Sequence, residues 1–434
     1  MVGQRDKGLV RALGSWGLAA NIVNIVVGAG IFALPSALAA ALGTYAPLAI
    51  LACAVAVGAV AICFAEGGSR VPTSGGVYGC IEAALGPLAG FVAGTVLWVS
   101  DVLACGGVAA ALADVAASLT APALVPAVRT LVIIAVIGGI ALLNIGGVAR
   151  GARLVGVATF VKLVPLAVFL IVGLGAVSAA HFAPPPAARA LDPGRALLLA
   201  LFAFTGMEAS LCASGEVAEP ARTIPRALAL AIGGVTVLYL TIQIIAQGIL
   251  GPALASSAVP LADAMAQVSG PLRALMLAGA ALSMFGWIGS DILSTPRMVF
   301  AFARDGYLPR SLGRVHPRTH APHVAIACYA LIAALLALTG TFAELAVLST
   351  LGAAALYIAG CAAAWRLARR GVALAGAPLN CRSLPAAAIV GIASMLVPMA
   401  LASRAEILGL LALLAAAAVV FLLHRRAGFA RAGA

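Results

Sequence analysis

The sequence predicts an all-α integral membrane protein of about twelve transmembrane helices. Hydrophobic residues make up 63% of the chain and charged residues 9%, with a mean hydropathy of +1.14, whereas a soluble domain has roughly 25% charged residues. Apolar stretches of about 20 residues, enough to cross about 30 Å of hydrocarbon as helix, run almost end to end through the 434 residues. The basic residues fall in alternate loops.

Taken in order, the expected spans are residues 14 to 41, 46 to 66, 88 to 118, 126 to 146, 154 to 178, 195 to 215, 226 to 250, 271 to 303, 322 to 340, 343 to 366, 384 to 403 and 405 to 424. The loops between them are short, apart from outer ones near Pro184 to Pro186 and Pro252 to Pro271 and a basic inner one after Arg304. So little polar sequence leaves no room for an extramembrane domain, and one transmembrane domain over residues 1 to 425 is expected, with residues 426 to 434 as a cytoplasmic tail. The net charge of +12 raises the question of an acidic partner, but its distribution gives a different answer. Arg5, Lys7, Arg11, Arg70, Arg150, Arg153, Arg222, Arg226, Arg304, Arg310, Arg314, Arg318, Arg366, Arg369, Arg370, Arg382, Arg425, Arg426 and Arg431 lie on one side. Arg129, Arg189, Arg195, Arg273 and Arg404 lie on the other. The positive-inside rule then puts both termini in the cytoplasm and the chain in the cell's inner (plasma) membrane. No nucleic acid or protein partner is indicated.

The eight cysteines are scattered through apolar runs without a CxxC pair or a Cys/His cluster, and read as small hydrophobes. The first apolar run is too long for a signal-peptide core and is expected to be retained as the first span.

Two spans contain helix-breaking sequence at mid-depth. In the first, Val27-Gly28-Ala29-Gly30-Ile31 is followed by Pro35; in the sixth, Phe202-Ala203-Phe204-Thr205-Gly206-Met207-Glu208 puts a glycine, a hydroxyl and a carboxylate into an apolar stretch. The glycines alone are equally readable as a close helix-packing surface. Their pairing is more specific, because the first and sixth spans are corresponding members of two successive five-helix halves. Interrupted helices at matching places in two halves point to a transporter site.

With these runs the chain resembles the amino acid, polyamine and organocation transporter superfamily, whose members have the LeuT-like fold. The matching pieces are Val27 to Phe32 with Pro35, Ala65-Glu66-Gly67-Gly68-Ser69-Arg70-Val71-Pro72-Thr73-Ser74-Gly75-Gly76-Val77-Tyr78, Phe202 to Glu208, Glu216 to Pro220 with Ile224-Pro225-Arg226, and Pro296-Arg297 leading to Ala303 to Pro309. They lie in order over roughly residues 14 to 310, and the last two spans match only as hydrophobic helices. The resemblance implies a 5+5 inverted repeat with discontinuous helices 1 and 6, residues 14 to 178 and 195 to 366, and two appended helices over 384 to 424.

It also implies a substrate site between the two breaks. Freed N–H groups at a half-helix start suit a carboxylate, and freed carbonyls at a half-helix end suit an ammonium; an amino acid presents both. The carboxylate is assigned to N–H groups around Gly28, Ala29, Gly30 and Ile31, and the ammonium to carbonyls near Ile25, Phe202 and Ala203, beside Gly206. Phe202 aligns with the aromatic gate of relatives, the alternative being an aromatic that simply fills the bundle. Thr205, Trp287 and Ile31 are candidates for the side-chain pocket.

Three charges lie at depth. Lys162, the only lysine besides Lys7, stands well inside the fifth span, where an uncompensated charge costs about 2.5 kcal/mol or more. Snorkelling to the inner headgroups is the other reading. The resemblance implies that it fills the position of a bound cation in sodium-coupled members, hence a sodium-independent carrier, coupled to protons or exchanging. Asp291 departs from the small hydroxyl residue of relatives, and an ion pair with Lys162 is open from the sequence. Asp101 has three open roles: proton relay, partner of a cationic substrate side chain, or structural acceptor. Glu208 is a candidate brace for the second break.

The expected function is therefore secondary active transport of an amino acid by alternating access, the runner-up being a polyamine or other organic cation. A membrane enzyme is disfavoured: the histidines lie in loops or at span ends, and neither HExxH nor GxSxG occurs. A channel or sensor on the same fold differs only in flux. No metal or cofactor is expected.

Overall fold

The computed structural model describes residues 14–28, 30–72, 76–146, 162–183, 191–211, 217–304, 307–319, 321–374 and 377–432. Ala29, the first eight residues of the expected fifth span (154–161), and parts of the matching runs at 73–75, 216 and 305–306 lie outside the described residues. All of the described regular structure is helical. Among the described residues seven helical stretches are long and apolar enough to cross a membrane by length and composition, and five shorter apolar helices have 10–17 residues.

The first expected span consists of two helices, α1 (Ser15–Val26) and α2 (Gly30–Leu42), and α3 (Ala46–Arg70) follows after one 3-10 turn. A ten-residue helix absent from the sequence expectation, α4 (Gly76–Leu85), precedes α5 (Pro87–Ala117). Then come α6 (Val125–Ile145) and α7 (Leu163–Gly173). The sixth expected span is again two helices, α8 (Pro193–Phe204) and the single turn α9 (Met207–Ser210).

The long α10 (Pro220–Leu250) leads to a short α11 (Pro260–Ala266), where only an outer loop was expected. The eighth span divides at Thr295 into α12 (Gly270–Ser294) and α13 (Pro296–Arg304), because Pro296 has no N–H to continue the ladder. Four helices complete the chain: α14 (His323–Thr339), α15 (Phe342–Arg369), α16 (Leu384–Ala400) and α17 (Arg404–Ala432). A capping box between Thr341 and Glu344 starts α15, and Arg366 and Arg369 complement its C-terminal dipole.

Lipid tails are as apolar as leucine, so association of these helices depends on close packing and hydrogen bonds. At the centre, α5 lies against α14 and α15. Two consecutive glycines permit that approach: a Cβ on Gly106 would stand 2.9 Å from Leu336 Cβ, and one on Gly107 would stand 3.2 Å from Leu345 Cβ. At the periphery, Ile171, Leu142, Val55, Leu131 and Leu408 are exposed, as aliphatic side chains facing acyl chains would be.

Candidate functional site between two interrupted helices

The first helix unravels at Val27. Gly28 N–H folds back onto Val26 O at 2.8 Å, and the last carbonyls of α1 lose their partners one turn on, which inside a bilayer demands other donors. Five are supplied. Lys162 Nζ donates to Asn24 O and Val27 O, both at 2.7 Å. Tyr239 Oη of α10 donates to Val26 O at 2.7 Å, Trp287 Nε1 of α12 to Ile25 O at 3.2 Å, and Ser283 Oγ to Gly28 O at 3.1 Å. Gly28 is required sterically, since a Cβ there would lie 2.4 Å from Trp287 Cδ1. Both readings of the glycine pair thus apply at Gly28, which is a break residue and a packing surface at once.

The second break is closed from within. Thr205 donates its N–H at 3.2 Å and its hydroxyl at 2.7 Å to Phe202 O. Gly206 takes φ +111, in the left-handed region that favours glycine. Its N–H points at both oxygens of Glu208, at 3.1 and 3.0 Å, and Tyr357 Oη of α15 donates to Glu208 Oε2 at 2.7 Å. A side chain at Gly206 would meet Ile25 Cγ2 at 2.7 Å, so the two breaks face each other in contact.

Between them is a small cavity of about 70 Å³. Ile25, Gly28, Gly30, Phe202, Ala203, Thr205, Gly206 and Trp287 line it, together with Lys162, Asp101 and Asp291. Of the residues singled out from the sequence, Ala29 is not described and Ile31 does not line it: its side chain is buried in the surrounding core. The carbonyls of Ile25 and Phe202, expected to hold an ammonium, already accept protein hydrogen bonds. Phe202 is buried and meets the ring of Phe342 edge-on, with centroids 5.6 Å apart.

A wider vestibule of about 540 Å³ adjoins the cavity, sharing Ile25, Asp101, Ala209, Ser290, Ser294 and Thr295 with it. It extends to the end of the molecule formed by α4, the start of α5 and α13, among Glu82, Pro87, Arg297 and Tyr307.

The ion pair weighed for Lys162 and Asp291 does not form. Lys162 is turned to the α1 carbonyls. Asp291 accepts from Thr295 Oγ1 at 2.9 Å and from the Tyr329 hydroxyl of α14. Among the described residues the ion pairs lie elsewhere: Glu66 with Arg70, Asp114 with Arg129, Glu219 with Arg222, and Asp263 with Arg273. Sequence reading missed Tyr239, Ser283, Thr295, Tyr329 and Tyr357. The available signal was a hydroxyl at mid-depth in an apolar helix, which must find a partner there.

Comparison with known proteins agrees with this architecture. The amino acid permease family profile matches residues 13–423. An uncharacterized transporter of Mycobacterium tuberculosis is 34% identical over 319 residues, covering 72% of this chain and 70% of that one. The branched-chain amino acid permease of Bacillus subtilis is 26% identical over 371 residues (81% and 80%), and the methylthioribose transporter of the same organism is 29% identical over 340 residues (73% and 72%). The chain belongs to the amino acid permease family of the amino acid, polyamine and organocation superfamily, which implies a LeuT-like fold, and is a multi-pass membrane transporter of small, amino acid-like solutes rather than an enzyme.

Proposed function

We propose that this permease carries an amino acid across the cytoplasmic membrane by alternating access and without sodium, coupled to protons or by exchange. The observation that carries the amino acid reading is the small cavity bounded by both interrupted helices, with the N-terminus of α2 on its wall at Gly30. The N–H groups of Gly30 and Ile31 open α2 and have no intrahelical acceptor, so a carboxylate at Gly30 meets the positive end of the helix dipole. Ala203, at the end of α8, also lines the cavity and adds carbonyl character to the opposite wall.

The sodium-independent reading rests on Lys162. Its ammonium bridges two carbonyls at the end of the first half-helix, a pair of oxygens that would otherwise suit a bound cation. A tethered ammonium makes a free cation redundant at that spot. Residues 14–178 and 195–366 then form the two inverted repeats, with 384–424 appended. Both termini are cytoplasmic by the distribution of basic residues. On that orientation the vestibule at Arg297 faces the cytoplasm, and Phe202 on Phe342 closes the outer side: an inward-open state with Phe202 as the gate.

Uptake into proteoliposomes, measured for the twenty amino acids and for putrescine and spermidine with and without sodium and a pH gradient, tests the proposal. Saturable amino acid uptake that ignores sodium and responds to the pH gradient or to internal amino acid is expected. Strict dependence on sodium defeats the coupling assignment, and uptake of polyamines alone defeats the amino acid assignment.

A further inference from the structure

We propose that the amine of the transported solute is held by side chains, on Asp101 with the hydroxyls of Ser100 and Ser349, rather than by the backbone carbonyls of the broken helices. This rests on the carrier reading above and names the group that the site selects for. Acceptors at the first break are already engaged: Asn24, Ile25, Val26, Val27 and Gly28 each have a carbonyl bonded by a protein donor. Phe202 O is taken twice by Thr205. An ammonium entering the cavity brings three N–H donors and shares those carbonyls with protein donors, each of them keeping at most one lone pair.

Charge points the same way. Asp101, Glu208, Asp291 and Lys162 all line the cavity, and the one cationic side chain among them is engaged with carbonyls. Glu208 is engaged by Gly206 N–H and Tyr357, and Asp291 by Tyr329 and Thr295. Asp101 is different. Among the described residues its one hydrogen bond is from Thr295 Oγ1 at 3.3 Å, and that hydroxyl lies closer to Asp291, at 2.9 Å. A hydroxyl has one hydrogen to give. When it goes to Asp291, Asp101 keeps a carboxylate with no donor at a depth where an uncompensated charge is costly.

Two serines supply an independent observation. Ser100 and Ser349, only 4% and 3% exposed, line the same cavity, and neither hydroxyl has a hydrogen-bond partner among the described residues. Buried hydroxyls are nearly always paired. Together with Asp101 they offer one anionic and two neutral acceptors, enough for the three hydrogens of a primary ammonium. Asp101 also lines the vestibule, so the amine meets it on entry from that side.

The consequence is selectivity for a protonated amine more than for an intact amino acid. The test is binding to the purified full-length protein, by thermal shift and calorimetry. Leucine, alanine and arginine are each compared with the decarboxylated amine (isoamylamine, ethylamine, agmatine) and with the N-acetyl derivative. For at least one of the three sets, the amino acid and its amine are expected to bind, with the N-acetyl derivative at least tenfold weaker; Asp101→Asn is expected to weaken amino acid binding at least tenfold, and Ser100→Ala with Ser349→Ala several-fold. The N-acetyl comparison needs no variant, so it stands if Asp101→Asn fails to fold. An N-acetyl derivative that binds as tightly as its parent overturns the proposal. So does Asp101→Asn with unchanged affinity, including the case in which only the pH dependence of uptake is lost and Asp101 is a proton carrier. In either case wild-type binding leaves the carrier reading intact, whereas a wild type that binds no amino acid, amine or polyamine removes both.

Discussion

The two helix breaks solve one problem in opposite ways. At the first, the unpaired carbonyls of α1 are satisfied by donors between 135 and 262 residues away in sequence, from the start of α7, from α10 and from α12. At the second, the freed groups are satisfied largely locally, Thr205 capping Phe202 O and Glu208 receiving Gly206 N–H, with Tyr357 arriving from afar. A break pinned from three separate elements holds its shape only while those elements keep their places. A self-capped break moves as a unit. The first is thus the one whose geometry reports the global state of the carrier, and the second behaves as a preformed piece of the site.

The largest expected effect follows from removing the strongest external donor. Lys162→Met keeps the apolar stem and strips the donor from two buried carbonyls. Each costs about 1–3 kcal/mol when left unpaired, so several kcal/mol of this conformation is at stake. Proteoliposome uptake should fall by more than tenfold, and thermal unfolding should shift down. Wild-type uptake in this variant would mean that the first break does not depend on outside support, and the contrast between the two breaks would fail.

Next in size is Gly206→Ala. Positive φ in a residue with a side chain costs on the order of 1–3 kcal/mol, and the added Cβ would stand 2.7 Å from Ile25 Cγ2. Gly28→Ala faces a closer contact, 2.4 Å from Trp287 Cδ1, without the positive φ. The former should cut uptake roughly tenfold with a loss of stability no larger than that strain, because a preformed unit is displaced against its neighbour. The latter should lower the unfolding temperature by forcing Trp287 off Ile25 O. Equal effects on uptake and on stability in both variants would erase the distinction.

The same contrast explains how much was legible in the sequence. Thr205, Gly206 and Glu208 lie within four residues, so the second break and its brace are visible in one short run. The positions of both breaks were readable, as were most span limits, because glycine, proline and apolar length act locally. Tyr239, Ser283 and Trp287 are joined to the first break by tertiary packing alone; of its donors Lys162 carried a sequence signal through its depth in an apolar run, and Trp287 was singled out only as a pocket candidate. The Lys162–Asp291 pair, left open by the sequence, does not form for a related reason: opposite charges at similar depth are a sequence observation, but α1 carbonyls and the Tyr329 hydroxyl are competing partners that a sequence does not list by position. The division of the eighth span at Pro296 and the ten-residue α4 were missed because span length dominates apolar runs. The donors already on the Ile25 and Phe202 carbonyls were not legible either, since they come from Trp287 and from the fold of Thr205.

A smaller effect is expected from Tyr239→Phe. It removes one donor from Val26 O, which keeps the N–H of Gly28 at 2.8 Å. A carbonyl that retains one bond loses about 1 kcal/mol rather than the full cost of an orphaned group. Uptake should drop about fivefold, with the loss recovered by no change at the second break. A Tyr239→Phe, Lys162→Met double variant checks whether the external donors act together: non-additive losses are expected of groups that share one segment, and strictly additive ones would mean that each carbonyl is held independently.

Smallest of all should be Glu208→Gln. The amide oxygen can still accept from Gly206 N–H and the NH2 group can donate to the Tyr357 oxygen, so both contacts persist and lose only their charge assistance. Charge-assisted bonds contribute about 1.5–3 kcal/mol and neutral ones about 0.5–1.5, which sets the difference near 1 kcal/mol and the fall in uptake at several-fold. Because this brace is local, the loss should appear in transport rate more than in thermal stability, and the variant should respond to sodium as the wild type does. If Glu208→Gln instead unfolds the protein as readily as Lys162→Met, the second break is as dependent on distant elements as the first, through Tyr357, and the self-capped unit is in fact tied to α15.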